Sequence, residues 1–123
     1  MVEVKKLEKD ETEAEFQKAD IPFSDNCFAI AAKQGDEVLG TLLYETANGK
    51  MDIIKILPQD DKLMADSMLR SALFIAANRG ISDVFWKETV PDELIKQLGF
   101  VKNITNKSID VTNLFSSCKN CKN

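Results

Sequence analysis

Apolar residues along the chain fall into short blocks separated by turn signals, and the spacing inside each block sets the element it predicts. Val2, Val4 and Leu7 come near to alternation among charges, the mark of a half-buried edge strand. Glu8 to Asp20 is mostly acidic, with Ala14, Phe16 and Ala19 as its apolar marks, which predicts at most a short surface helix before Pro22 ends it. Cys27 to Lys33 is continuously apolar up to its last residue. The Gln34-Gly35-Asp36-Glu37 turn signal then leads into Val38 to Tyr44, so the two runs read as a hairpin. A second turn, Ala47-Asn48-Gly49-Lys50, leads into Met51 to Leu57, and three antiparallel strands in a meander follow.

Past Pro58 the period changes from two to 3.6. Asp60 or Asp61 caps a helix whose Ala65, Met68, Leu69, Ala72, Leu73 and Ala76 form one buried stripe, and Gly80 stops it. Ile81 to Trp86 is the next strand, so residues 51–86 read as a strand-helix-strand unit, which connects parallel strands with a right-handed crossover. Pro91 fits the first turn of another helix with Leu94, Ile95 and Leu98 as its apolar face and Gly99 as its end. Phe100 to Ile104 and Ser108 to Val111 form a final hairpin. The fold class predicted is a single mixed α/β domain over residues 1–123. It has a mostly antiparallel sheet of six or seven strands, one parallel pair at the crossover, helices on the faces, and a flexible tail over the last few residues.

Charge and composition narrow the function. The chain has 123 residues, 44% of them hydrophobic, enough for a real core. A net charge of −4 argues against phosphate backbones and anionic membranes as partners, so neither nucleic acid nor membrane is expected. The charge is uneven: residues 101–123 carry four Lys and one Asp, net +3, leaving −7 for the rest. No apolar stretch reaches the roughly 18 residues of a membrane span, the start lacks the apolar run of a signal peptide, and three Cys suit a reducing compartment. A cytoplasmic protein is the expectation. Histidine is absent, which removes the commonest general base, the Ser-His and Cys-His nucleophile pairs, and any zinc site built on imidazole.

A meander feeding one crossover, then a helix ending in Leu98-Gly99-Phe100 before a last hairpin, resembles the GNAT superfamily of N-acetyltransferases between about Cys27 and Val111. Ile95 to Phe100, IKQLGF, is similar to that family's Y-x-x-L-G-F segment. Ile53 to Pro58, IIKILP, is similar to the strand that precedes its cofactor loop. The resemblance implies that the strands at Met51–Leu57 and Ile81–Trp86 splay at their C-terminal ends and that an acyl-pantetheine arm lies on the freed edge. It also implies acetyl-coenzyme A as co-substrate. Its pyrophosphate would lie on the helix start at Lys62, Leu63, Met64, Ala65 and Asp66, and the N–H groups of Ile56 and Leu57 would polarise the thioester carbonyl. A small-molecule or peptide amine would be the acceptor.

The same resemblance marks the departures. Counted from Pro58, Asp61 falls where the family writes Arg or Gln, and Met64 and Asp66 fall on its two glycines, so no glycine is left to wrap a phosphate. Carboxylates at the helix start compete with an anion for the helix dipole, and Lys62 is the one cation within reach. Ile95 stands in place of the tyrosine that protonates the departing thiolate. Asp52 is the proton acceptor to test. Tyr44, Glu45 and Glu88 are further polar groups at strand ends. Trp86 and Phe85 are weighed as core against pocket wall, while Cys27, Met64 and Met68 read as core. Cys118-Lys-Asn-Cys121 has metal or redox spacing but lacks further ligands, so an inert tail and no metal is the reading. Two functions follow: an acetyl-coenzyme A dependent N-acetyltransferase, and a catalytically silent binding or assembly module on the same fold.

Overall fold

The computed structural model describes residues 2–111. Cys118, Cys121 and the expected tail lie outside the described residues. The elements run β1 (Glu3–Lys6), α1 (Lys9–Lys18), β2 (Cys27–Gln34), β3 (Glu37–Ala47), β4 (Lys50–Leu57), α2 (Lys62–Asn78), β5 (Asp83–Trp86), α3 (Asp92–Leu98), β6 (Val101–Asn103) and β7 (Ser108–Ile109). They build one seven-stranded sheet in the order β1-β2-β3-β4-β5-β7-β6, antiparallel except for β4 beside β5.

Turn chemistry fixes the meander. Asn48 and Gly49 both take positive φ, 54° and 76°, the pair of left-handed residues that a tight hairpin needs between β3 and β4. Gly80 at φ 73° ends α2: its N–H reaches Ala77 O and the N–H of Ile81 reaches Ala76 O, closing the last turn. That closure takes Ile81 out of the strand, which begins two residues later than the sequence predicts. Gly99 ends α3 in the same manner, with Phe100 N–H on Ile95 O. Pro91 stands just before α3, at its N-cap, rather than inside its first turn.

Both faces of the sheet are covered, unequally. Under α2 lies the larger core, in which Ile30, Leu42, Tyr44, Ile53 and Ile56 meet Met68, Leu69, Ala72 and Leu73. The opposite face holds a smaller core of Leu7, Phe16, Cys27, Ala29, Ala31, Leu43 and Ile54. The first helix is therefore more than a surface element, since Phe16 is completely buried and packs edge-on to Phe23 at 5.7 Å. Because α1 is ten residues long and lies against β2, it leaves the part of that face under β4 and β5 open.

Candidate functional site

The ladder between β4 and β5 is short. Lys50, Met51, Asp52 and Ile53 pair with Asp83, Val84, Phe85 and Trp86, and there the pairing stops, although β4 runs on to Leu57 beside β3. The β3–β4 register slips where the ladder ends: Tyr44 faces Ile53 and Leu43 faces Lys55, so Ile54 is the extra residue of a β-bulge. A bulge bends its strand and increases local twist, which turns the end of β4 away from β5. The turn after β5 covers the first exposed acceptors: Lys87 N–H donates to Ile53 O at 2.8 Å, and the Thr89 hydroxyl donates to Ile54 O. Among the described residues, no strand pairs with the flank of Lys55–Leu57 that faces away from β3. The expected splay is not seen as two diverging strands, because β5 is paired with β4 along its whole length; the opening arises because β4 outlasts its partner by the four residues Ile54–Leu57, beside the bulge.

Beside this opening α2 begins. Asp61 is its N-cap, with Oδ1 accepting the Met64 N–H at 3.1 Å. Lys62 is exposed, and Leu63 is 84% exposed. Ala65 is buried in the core. Asp66 Oδ2 accepts from Arg70 Nε at 2.8 Å one turn along, so this carboxylate is balanced by a neighbour and does not face outward alone. Met64 leans across to β3, where a Cβ on Gly40 would sit 2.6 Å from its sulfur and 2.8 Å from Leu57 O. The close approach therefore depends on a glycine in the strand, not in the loop. Gly40 was legible only as a glycine interrupting a strand pattern, which marks a backbone approached closely by something else.

On the opposite face from α2, the first half of β4 and the end of β5 floor an open cleft of about 800 Å³. Asp52 lies in it, since its neighbours Met51 and Ile53 both point into the core under α2 and side chains alternate along a strand. Burial pushes the Asp52 carboxyl above its ordinary value, Lys87 pulls it down, Glu45 pushes it up, and Lys50 pulls it down. Glu45 is the residue directly opposite Asp52 on β3 and holds Lys87 at 3.4 Å. Glu88 stands at the rim, exposed. Trp86 and Lys107 line the cleft, and both donate to Asp92, Trp86 Nε1 at 2.7 Å and Lys107 Nζ at 2.8 Å; these two donors hold the Asp92 carboxyl below the usual range.

The remaining sequence candidates fall elsewhere. Tyr44 is buried under α2, stacked on Phe28 at 5.4 Å, on the sheet face away from Asp52. Its hydroxyl has no hydrogen-bond partner among the described residues, and burial pushes its pKa up to about 12 despite Arg79 nearby. Ile95 is wholly buried in the same core, and Trp86 is both core and cleft wall, with its indole N–H on Asp92. Phe85 is half-buried and lines the cleft. Cys27 is a core residue whose thiol lies 3.6 Å from Ser24 Oγ. Among the described residues no group of three or more Cys, Asp or Glu could hold a metal ion, and no helix is long and apolar enough to cross a membrane.

No protein-family model matches the sequence, and no curated protein matches it. Solved structures do match in fold. An IAA acetyltransferase from Bacillus cereus superposes with a TM-score of 0.62 at 20% identity, over 82% of this chain and 77% of its own. The PaiA N-acetyltransferase from Thermoplasma acidophilum, solved in complex with coenzyme A, gives 0.61 at 14% identity over 89% of this chain and 96% of its own. The ribosomal-protein-S18-alanine N-acetyltransferase from Escherichia coli gives 0.60 at 11% identity over 88% of each chain. The chain thus has the GNAT acyltransferase fold, with the mixed sheet and single parallel pair expected from its sequence.

Proposed function

We propose that this chain is an N-acyltransferase of the GNAT type, taking an acyl group from acetyl-coenzyme A to an amine held in the cleft beside Asp52. One observation carries the reading: β4 outlasts its parallel partner and leaves backbone groups of Lys55–Leu57 open next to a largely apolar cleft that holds Asp52. Such an edge accepts an extended amide chain as an added strand. Acetyl-coenzyme A, when bound, supplies an acyl group activated as a thioester together with a thiolate leaving group. Of the two expected donors, Ile56 is the better oriented. Leu57 turns its carbonyl toward Gly40 of β3, and alternation along a strand gives the N–H of Ile56 to the opening. That N–H would donate to the oxyanion that forms when the amine attacks. Asp52, its carboxyl raised by burial, would take the proton an ammonium must lose before attack.

The residues fit the two halves of the co-substrate differently. The freed edge suits the pantetheine arm. At the helix start, Asp61 already occupies the Met64 N–H and brings negative charge, so phosphate binding would rest on Lys62 and the backbone N–H groups of Lys62 and Leu63. That same cap favours a second reading, in which the fold is kept as a binding module without turnover; the buried Ile95, which offers no proton, points the same way.

Thermal melting with and without acetyl-coenzyme A tests the first reading. A ligand at a hundredfold its Kd adds about 2.7 kcal/mol of stability. No shift at millimolar ligand removes the enzyme. A shift without acetyl transfer to any member of an amine panel gives the second reading.

A further inference from the structure

The cleft on the α1 face is ordered along one strand. Lys50, Asp52 and Ile54 all project from β4 to the same side: Ile54 lies in the smaller core, and Asp52 and Lys50 follow at successive alternate positions. Ile54 stands where the ladder opens, Asp52 comes next, and Lys50 marks the far end, each step about 7 Å from the last. The cations around the cleft are not equivalent. Lys87 is held by Glu45 at 3.4 Å, and Lys107 by Asp92 at 2.8 Å. Lys50 forms no ion pair among the described residues. Its ammonium rests 5.9 Å from the centroid of Phe85, the residue opposite Asp52 in the parallel ladder.

A ligand amine seated at Asp52 therefore meets, about two strand residues away and beside the apolar ring of Phe85, a positive charge that draws on the Asp52 carboxyl but is engaged in no ion pair among the described residues. A simple cationic amine would gain nothing from Lys50 and would be repelled by it. An amine that carries its own anion at that distance would satisfy both ends, carboxylate to ammonium at each. Resting on the reading of this cleft as an acceptor site, we propose that the acceptor is a zwitterion, a primary amine joined by a short apolar spacer to a carboxylate about 7 Å away, with Lys50 as the specificity-determining residue.

The test uses the full chain without acetyl-coenzyme A, so that it reports on this cleft independently of acyl transfer. Three probes of equal chain length, 6-aminohexanoate, hexylamine and hexanoate, are titrated by calorimetry and by the emission of Trp86, the only tryptophan. The expected result is that 6-aminohexanoate binds about tenfold more tightly than hexylamine, in line with one added charge-assisted hydrogen bond. Lys50→Gln should bring that ratio to about one, and raised salt should narrow it in the wild type. Lys50 is exposed, so the melting temperature of the variant checks that the fold is intact. Equal or tighter binding of hexylamine, a preference that survives Lys50→Gln, or no binding of any probe at millimolar concentration would each overturn the assignment. Failure here with a positive thermal shift by acetyl-coenzyme A leaves the transferase reading standing; the converse pattern separates the two the other way.

Discussion

Asp52 is uncomfortable where it stands. Burial raises its carboxyl above the ordinary value of 3.8, and Lys87 and Lys50 lower it only in part. A carboxyl whose pKa is raised on folding adds stability when protonated and loses it as pH climbs through the folded value, so at neutral pH the ionised group weakens the fold. Asp52→Asn should therefore melt a few degrees higher than wild type at pH 7, and the difference should vanish below about pH 3.8, while any acyl transfer falls. Melting curves at the two pH values check this; equal Tm at pH 7 would show that the charge is fully solvated. Asp92 has the opposite sign. Lys107 and Trp86 donate to it and lower its pKa, so its contribution is present above the ordinary 3.8 and lost as pH falls through the lower folded value. Because Trp86 is the only tryptophan, its emission should change in that acid window. Asp92→Asn should remove the step; a step that persists would belong to another group.

The start of α2 is where sequence and structure diverge in an informative way. Asn caps a helix about as well as Asp, because either side-chain oxygen accepts the free N–H, but only Asp brings a charge that opposes a phosphate. Asp61→Asn should keep the melting temperature within about a degree while tightening coenzyme A binding severalfold, measured by calorimetry. Loss of stability without gained affinity would mean that the phosphates do not approach this turn. The elements themselves were legible because their signals are local: Asn48-Gly49 fixes one hairpin, Gly80 and Gly99 fix two helix ends, and the Ala65 to Ala76 stripe fixes the buried face of α2. The bulge at Ile54 was not legible, since nothing in IIKILP distinguishes a paired isoleucine from an extra one. Nor was the partner of Asp66, although Arg70 stands four residues on, the spacing at which a helix brings opposite charges together. Gly40 could be seen as an interruption but not assigned, because its neighbour Met64 arrives from 24 positions away.

At the scale of the whole molecule, one sheet separates two cores of unequal size, and the cleft exists because the smaller core stops short. Phe16 is the anchor of that smaller core and touches Phe23, while Trp86 belongs to the larger core on the other face. If the sheet couples the two, loss of either must unfold both, because β2 and β3 lend alternate side chains to each: Ala29 and Leu43 to one, Ile30 and Leu42 to the other. Phe16→Ala should cost about 3–5 kcal/mol, the usual range for emptying a fully buried aromatic site. Its consequence for cooperativity is the sharper test. Trp86 emission reports the far core and far-UV circular dichroism reports all elements, so a single cooperative unit requires both to melt at the same lowered temperature in the variant. A circular dichroism change that precedes the Trp86 transition would instead mean that α1 and its face come away first. The open flank of β4 and β5 could then widen without unfolding the sheet, giving larger acceptors access that the intact cleft denies them.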